Sequence, residues 1–170
     1  MKLLKKITVV IFFFFISVNT VYSNEKVAYL DMEYILKNSN IGKLVLKKIN
    51  ALNEKNIETL KLKDEELKKK EENIKKKQNI LSKEELDKEI NELRTNINKL
   101  RIEKDNMVKN INEFRKQELS KLYKEINPII QNYMESNNIN ILLDVKNIII
   151  GKSDYNITDD IIKEVNTKLK

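Results

Sequence analysis

Leu86, Ile90, Leu93, Ile97, Leu100, Met107, Ile111 and Phe114 recur in alternating steps of four and three, with Lys104 filling one position of the series. That period belongs to a helix whose one face meets another helix. Ser82 and Glu85 stand directly before the series, three residues apart, in the pattern of a capping box, so the helix begins there. After Phe114 the stripe shifts by one residue to Leu119, Leu122 and Ile126, then passes Pro128 to Ile129, Tyr133 and Met134. Pro128 removes a backbone donor and crowds the preceding turn, which predicts a kink near residues 124 to 127.

A partner helix precedes this one, from about residue 41 to about residue 78. Leu44, Val45, Ile49, Leu52, Ile57 and Leu60 lie close to helical spacing, but from Leu60 onward the repeat thins to Leu60, Leu67, Ile74 and Leu81, one per heptad. A full coiled-coil seam carries two. With a turn near residues 79 to 82, the pair forms an antiparallel hairpin arm over residues 41 to 135, about 55 Å or more long. The second helix overruns the first, so its far end packs on a base.

The base comes from both ends of the chain, residues 24 to 40 and 136 to 170. Val27, Ala28, Tyr29 and Leu30 form a short apolar run that reads as a buried strand, and Asp31 caps a short helix from Met32 to Leu36. Ile139, Ile141, Leu143 and Val145 alternate with other residues, and Ile148 to Ile150 follow, which predicts two strands joined near Lys146 and Asn147. Thr158 is the expected N-cap of a closing helix to Lys168, with Asp159 and Asp160 in its first turn and Ile157 stapled to Ile162. These segments are too few for a deep core of their own, so oligomerisation is expected to supply the missing burial.

The first residues read as a secretory signal peptide: Lys2, Lys5 and Lys6, an apolar run from Ile7 to Val18, then Val21 and Ser23. The run spans roughly 18 Å as a helix against the ~30 Å of a bilayer core, which disfavours an uncleaved anchor. Cleavage is expected between Ser23 and Asn24. It removes three lysines and no acid, so Lys plus Arg falls from 33 to 30 against 26 Asp plus Glu. It also removes four of the five Phe, leaving Phe114. Such a stock suits long solvated helices rather than a globular core.

Three short features resemble the periplasmic chaperone family for outer membrane proteins, the Skp or OmpH-like proteins. Val27 to Asp31 followed by Ile35, Leu36, Ser39, Gly42 and Lys43 looks like the family's opening strand, short helix and Ser-x-x-Gly-Lys step. Leu81-Ser82-Lys83-Glu84-Glu85-Leu86 is similar to its turn into the returning helix, and Ile139 to Leu143 with Asn156-Ile157-Thr158-Asp159-Asp160-Ile161 is similar to its closing motif. The chain departs from the family's pattern at Lys83, Pro128 and Asn156. The resemblance implies a mainly α fold with a small β base: long hairpin tentacles on a small β-barrel body formed by trimerisation, which hold unfolded outer membrane proteins without ATP. The base residues expected to meet in the homotrimer are Val27, Tyr29, Leu30, Ile141, Leu143, Ile148 and Ile150.

The arm carries the candidate client surface. Leu60, Leu67, Ile74 and Leu81 either offer many small apolar contacts or simply seal the hairpin against Leu86, Leu93 and Leu100. Lys68, Lys69, Lys70, Lys75, Lys76 and Lys77 give residues 61 to 77 a basic bias, suited to acidic clients or an anionic lipid surface. Interleaved acids favour a solvated face with pairs such as Glu66 with Lys70. Asn156-Ile157-Thr158 fits a glycosylation sequon and serves equally as the start of the closing helix.

The chain contains no His, no Cys and two Gly, which takes away the usual general base, thiol chemistry, soft metal ligands and a phosphate-cradling loop, so neither enzymatic activity nor a cofactor is expected. Arg94, Arg101 and Arg115 are the only arginines and aromatic residues are few, which disfavours specific nucleic-acid recognition and leaves only nonspecific, salt-dependent binding to a basic chain. The competing expectation is an envelope tether or adaptor without chaperone activity.

Overall fold

The structure, a computed structural model, describes residues 26–169. The expected signal peptide and the expected cleavage between Ser23 and Asn24 lie outside the described residues. Strand β1 (Lys26–Leu30) leads into helix α1 (Met32–Asn38), then into the two long helices α2 (Asn40–Lys77) and α3 (Lys83–Ser136). Strand β2 (Ile139–Asp144) and helix α4 (Thr158–Lys168) close the chain. At 1.5 Å per residue α2 is about 57 Å long and α3 about 81 Å, so α3 extends well past its partner.

Each long helix starts from a capping serine. Asp31 accepts from the Tyr34 N–H at 2.9 Å and starts α1, and the Ser39 hydroxyl then accepts from the Gly42 N–H at 3.2 Å and starts α2. Ser39 is buried, and Gly42 follows because the chain passes close to the end of α1. A Cβ built on Gly42 would lie 2.2 Å from the Leu36 carbonyl oxygen. The α3 helix ends through Asn137 and Asn138, the latter at φ 54°, a left-handed position that Asn tolerates better than most residues.

The two strands pair in parallel, Val27 with Ile141 and Tyr29 with Leu143, so the whole hairpin is the crossover between neighbouring strands. One extra residue, Asn140, is bulged between the pairs Lys26–Ile139 and Val27–Ile141. The simple alternation expected for Ile139, Ile141 and Leu143 is therefore broken: Ile139 is buried while Ile141 and Leu143 face outward. The second predicted strand at 148 to 150 does not form. The Asp144 carboxylate accepts from the Lys146 N–H at 2.8 Å and turns residues 145–147 into a 3-10 helix, and the chain leaves the sheet, with Ile149 and Ile150 exposed.

The core lies at the root of the hairpin, where Ala28 and Leu30 of β1, Ile35 and Leu36 of α1, and Ile157, Ile161 and Val165 around α4 meet Leu122, Ile126, Ile129 and Ile130 of α3. The overrun of α3 is thus the largest contributor to the core of the base. Pro128 lies on the exposed side of α3, and the helix continues unbroken through it.

Thr158 does not cap α4. Its hydroxyl accepts instead from the Asp31 N–H at 2.9 Å, and its own N–H donates to the Asn156 side-chain oxygen at 3.0 Å, so Asn156 supplies the local turn that Thr158 was expected to supply. Ile161 is the fully buried residue of the first turn, while Ile162, expected to be stapled to Ile157, is half-buried against the same core.

Candidate functional site

Burial divides the hairpin sharply. Ile49 on α2 and Glu118 on α3 are buried, and no residue from 50 to 117 is. Within this stretch Leu60, Leu67, Ile74 and Leu81 are half-buried, as are Leu86, Leu93, Leu100, Met107, Ile111 and Phe114, so the leucine stripes do face each other across the seam. The polar seam positions differ by one residue from those the spacing predicts. Asn56, Asn96 and Glu103 are half-buried, whereas Ile57, Ile97 and Lys104 are exposed. A straight helix drifts by ~20° per heptad against a 3.5-residue repeat, enough to exchange neighbouring positions where the apolar signal is thin.

Two ion pairs cross between the helices. Lys63 pairs with Glu103 in mid-arm, with both side chains over one-third exposed. At the root, Lys48 donates to Glu118 at 2.7 Å and Lys121 donates to its other oxygen at 2.9 Å. The Glu118 side chain is only 8% exposed, and the two ammonium groups, Lys48 first, hold its carboxyl below the ordinary range. The Lys48 ammonium also stands 5.8 Å from the centre of the Phe114 ring. The root is thus fastened by charge where apolar burial ends.

At the tip the predicted capping box is present. The Ser82 hydroxyl accepts from the Glu85 N–H at 3.3 Å, and the Glu85 carboxylate accepts from the Ser82 hydroxyl at 2.7 Å and from the Ser82 N–H at 3.0 Å; these two bonds, the hydroxyl's first, lower the Glu85 pKa. Ile80 in this turn is 83% exposed. The basic stretch is paired differently from the expected Glu66–Lys70 contact: Lys68 pairs with Asp64 and Lys75 with Glu71, each at 2.7 Å, and both lysine pKa values rise through those hydrogen bonds. Among the described residues Lys69, Lys70, Lys76 and Lys77 are exposed and enter no ion pair.

The seam also opens into a groove of about 250 Å³ near the tip, lined by Ile74 and Leu93 with Lys70, Lys77, Glu89 and Glu92 at its rim. The linear pattern did not single out Glu89, Glu92 or Asn96, because each is an ordinary polar position until the helices are set against each other.

On the base, the outer face of the sheet carries Val27, Ile141 and Leu143, which are exposed, and Tyr29, which is half-buried. Leu30 points the other way and is buried in the core of its own chain. Ile148 is half-buried and Ile150 exposed beside Gly151, where the Tyr29 ring fills the space a side chain would take. Tyr29 donates its hydroxyl to the Lys152 carbonyl at 3.2 Å and fastens this loop to β1. Among the described residues no cluster of acidic side chains is arranged to hold a metal ion, and no helix is long and apolar enough to cross a membrane.

The fold matches a solved structure, that of a protein from Caulobacter crescentus CB15 assigned as an OmpH-like outer membrane chaperone, with a TM-score of 0.78 at 18% sequence identity and 86% of each chain covered. Comparison with curated proteins gives no match. The profile of the family described as "Outer membrane protein (OmpH-like)" matches residues 26–165, from the first strand through the closing helix. The arm, its capped turn and its β base together are therefore those of an OmpH-like protein, and the chain belongs to that family.

Proposed function

We propose that this protein is an ATP-independent, non-catalytic holdase of the periplasm that binds unfolded outer membrane proteins and keeps them soluble on their way to the outer membrane. The carrying observation is the arm without a buried residue from 50 to 117. A helix pair that leaves Leu60, Leu67, Ile74 and Leu81 half-exposed and buries no apolar residue fully offers many small contacts, each worth little at ~25 cal/mol per Å², and so retains a client while still releasing it. Leu60, Leu67, Ile74 and Leu81 supply that stripe. Lys68, Lys69, Lys70, Lys75, Lys76 and Lys77 give the same surface its positive bias, for acidic stretches of a client or for anionic lipid reached by the arm tip.

The working form in this reading is a homotrimer. A two-stranded sheet is marginal alone, and β2 has only β1 as a neighbour among the described residues, so its other edge is open to a strand of another copy. Val27, Tyr29, Ile141, Leu143, Ile148 and Ile150 surround that face, while Leu30 supports it from within.

The test is suppression of aggregation. A urea-unfolded outer-membrane β-barrel protein diluted into buffer should stay soluble with near-stoichiometric trimer of the processed chain and no nucleotide. Native mass should show three copies and a shift by one client. A tether would leave the precipitation unchanged, and that result would refute the chaperone reading.

A further inference from the structure

Arg94, Arg101 and Arg115 are the only arginines among 33 basic residues, and all three fall at one position of the α3 heptad, with Val108 at the fourth. Arg94 follows Leu93 of the seam by one residue and Arg101 follows Leu100 by one, so the row runs about 100° round from the seam, along one edge of the arm. On α2, Glu58, Glu65 and Glu72 form a second row with the same spacing. Glu65 stands two residues from both Lys63 and Leu67, which places it on the side of α2 turned away from α3. All six charged residues are exposed, and none enters an ion pair among the described residues.

The two rows are in register. Lys48 pairs with Glu118 and Lys63 with Glu103, so α2 and α3 advance in step in opposite directions. Along that register Glu72 is level with Arg94 and Glu65 with Arg101. Within one arm they cannot meet, because the glutamates face away from α3. They meet when two arms stand side by side, parallel and at equal height, as arms rising from one shared base do. Between these charged rungs Ile97 is level with Lys69 and Leu62 with Lys104, so each exposed aliphatic residue can be covered by the carbon stem of a lysine whose ammonium stays in water.

We propose that neighbouring arms bind each other laterally, Arg94 and Arg101 of one copy against Glu72 and Glu65 of the next. The proposal rests on the homotrimer reading and adds to it a closed state of the arms. The contact joins two different faces, the edge of α3 and the back of α2, so it repeats from copy to copy and closes as a ring. Arginine suits this contact, since its planar guanidinium can take a carboxylate through two parallel hydrogen bonds. Exposed pairs are individually weak and screened by salt, which makes the closed state reversible.

The chain contains no Cys, so Ile80→Cys, at the exposed turn of the arm, carries one spin label per copy. Pulsed electron spin resonance on the assembled protein should show a short tip-to-tip distance in low salt, replaced by longer distances in high salt. Arg94→Glu with Arg101→Glu should lower the short-distance population about tenfold, and adding Glu65→Arg and Glu72→Arg should restore it. Lys99 precedes Leu100 where Arg101 follows it, so Lys88→Glu with Lys99→Glu makes the same charge change on the opposite edge of α3 and should leave the population as in the parent. Circular dichroism shows whether each variant keeps its helices, and the salt titration of the parent carries the test should the double reversal lose them. A closed population indifferent to salt and to the reversals, or one lost equally in the Lys88 and Lys99 variant, overturns the lateral contact. Were native mass to show assembled copies whose tips stay apart in low salt, the contact alone would fail; were it to show single copies, the homotrimer reading would fail as well.

Discussion

Lys48 donates to Glu118 across 2.7 Å at the level where the buried core gives way to the exposed arm. The pair joins α2 to α3 at the last point both helices share with the base. Above it, the next charged contact between them is the pair of Lys63 with Glu103. The root ion pair therefore adds to the attachment that the buried core at the root provides, whereas the half-buried seam above holds the arm closed.

Replacing Glu118 by Gln keeps the shape and removes the charge that both Lys48 and Lys121 share. The melting temperature of the protein at neutral pH should fall by a few degrees. Hydrogen exchange should rise first near the root, in residues 45 to 52 and 114 to 122. Unchanged exchange there would mean that the clamp is incidental.

The carboxyl of Glu118 is held below its ordinary value of 4.5 by the hydrogen bonds from Lys48 and Lys121. Its contribution is complete above that unfolded value and is lost as pH falls through the lower folded one. Melting followed from pH 7 down to pH 3 should show a stability loss beginning below about pH 4.5. In Glu118→Gln that part of the loss should be smaller, and the rest comes from other carboxylates such as Glu85 of the capping box.

Gly42→Ala reverses the usual expectation for a helix. An exposed Gly-to-Ala change inside a helix stabilises by ~1 kcal/mol. Here the added methyl would meet the Leu36 carbonyl oxygen at 2.2 Å, so the change should destabilise by ~1–3 kcal/mol in denaturant unfolding.

Core and arm should respond differently to truncation. Ile126→Ala and Ile161→Ala remove fully buried side chains and should each cost ~2–5 kcal/mol. Leu67→Ala on the half-exposed seam should cost clearly less, because much of that side chain already meets water. Chemical unfolding of the three variants at one protein concentration makes the comparison.

Sealing the arm should impair function while raising stability. The pair of Lys63 with Glu103 is well exposed and worth at most ~1 kcal/mol, so replacing both by Leu puts apolar area into the seam and should stabilise the arm by ~1–2 kcal/mol. Client release, followed by transfer of a labelled unfolded β-barrel protein to excess unlabelled chaperone, should slow. Faster release would contradict the diffuse-contact reading.

The hairpin was legible in the sequence because its signals are local. Ser82 with Glu85 marks the turn through a hydrogen-bond pattern three residues long, and the stripe from Leu86 to Phe114 is a property of one helix. Ser39 and Asp31 announce helix starts in the same way. The exact seam was not legible, since Asn56 or Ile57, Asn96 or Ile97, and Glu103 or Lys104 differ by a single step of a drifting spiral.

The sequence by itself determined two long helices, their capped turn and an apolar base assembled from both ends of the chain, because helix period and capping act over a few residues. Only the tertiary structure decided that the strands run parallel, that Asn140 bulges to turn Ile139 inward and Ile141 outward, and that the Thr158 hydroxyl serves Asp31. Those choices are set by partners more than one hundred positions away, where the hydrogen-bonding needs of one segment are met by another and neighbouring residues carry no trace of the outcome.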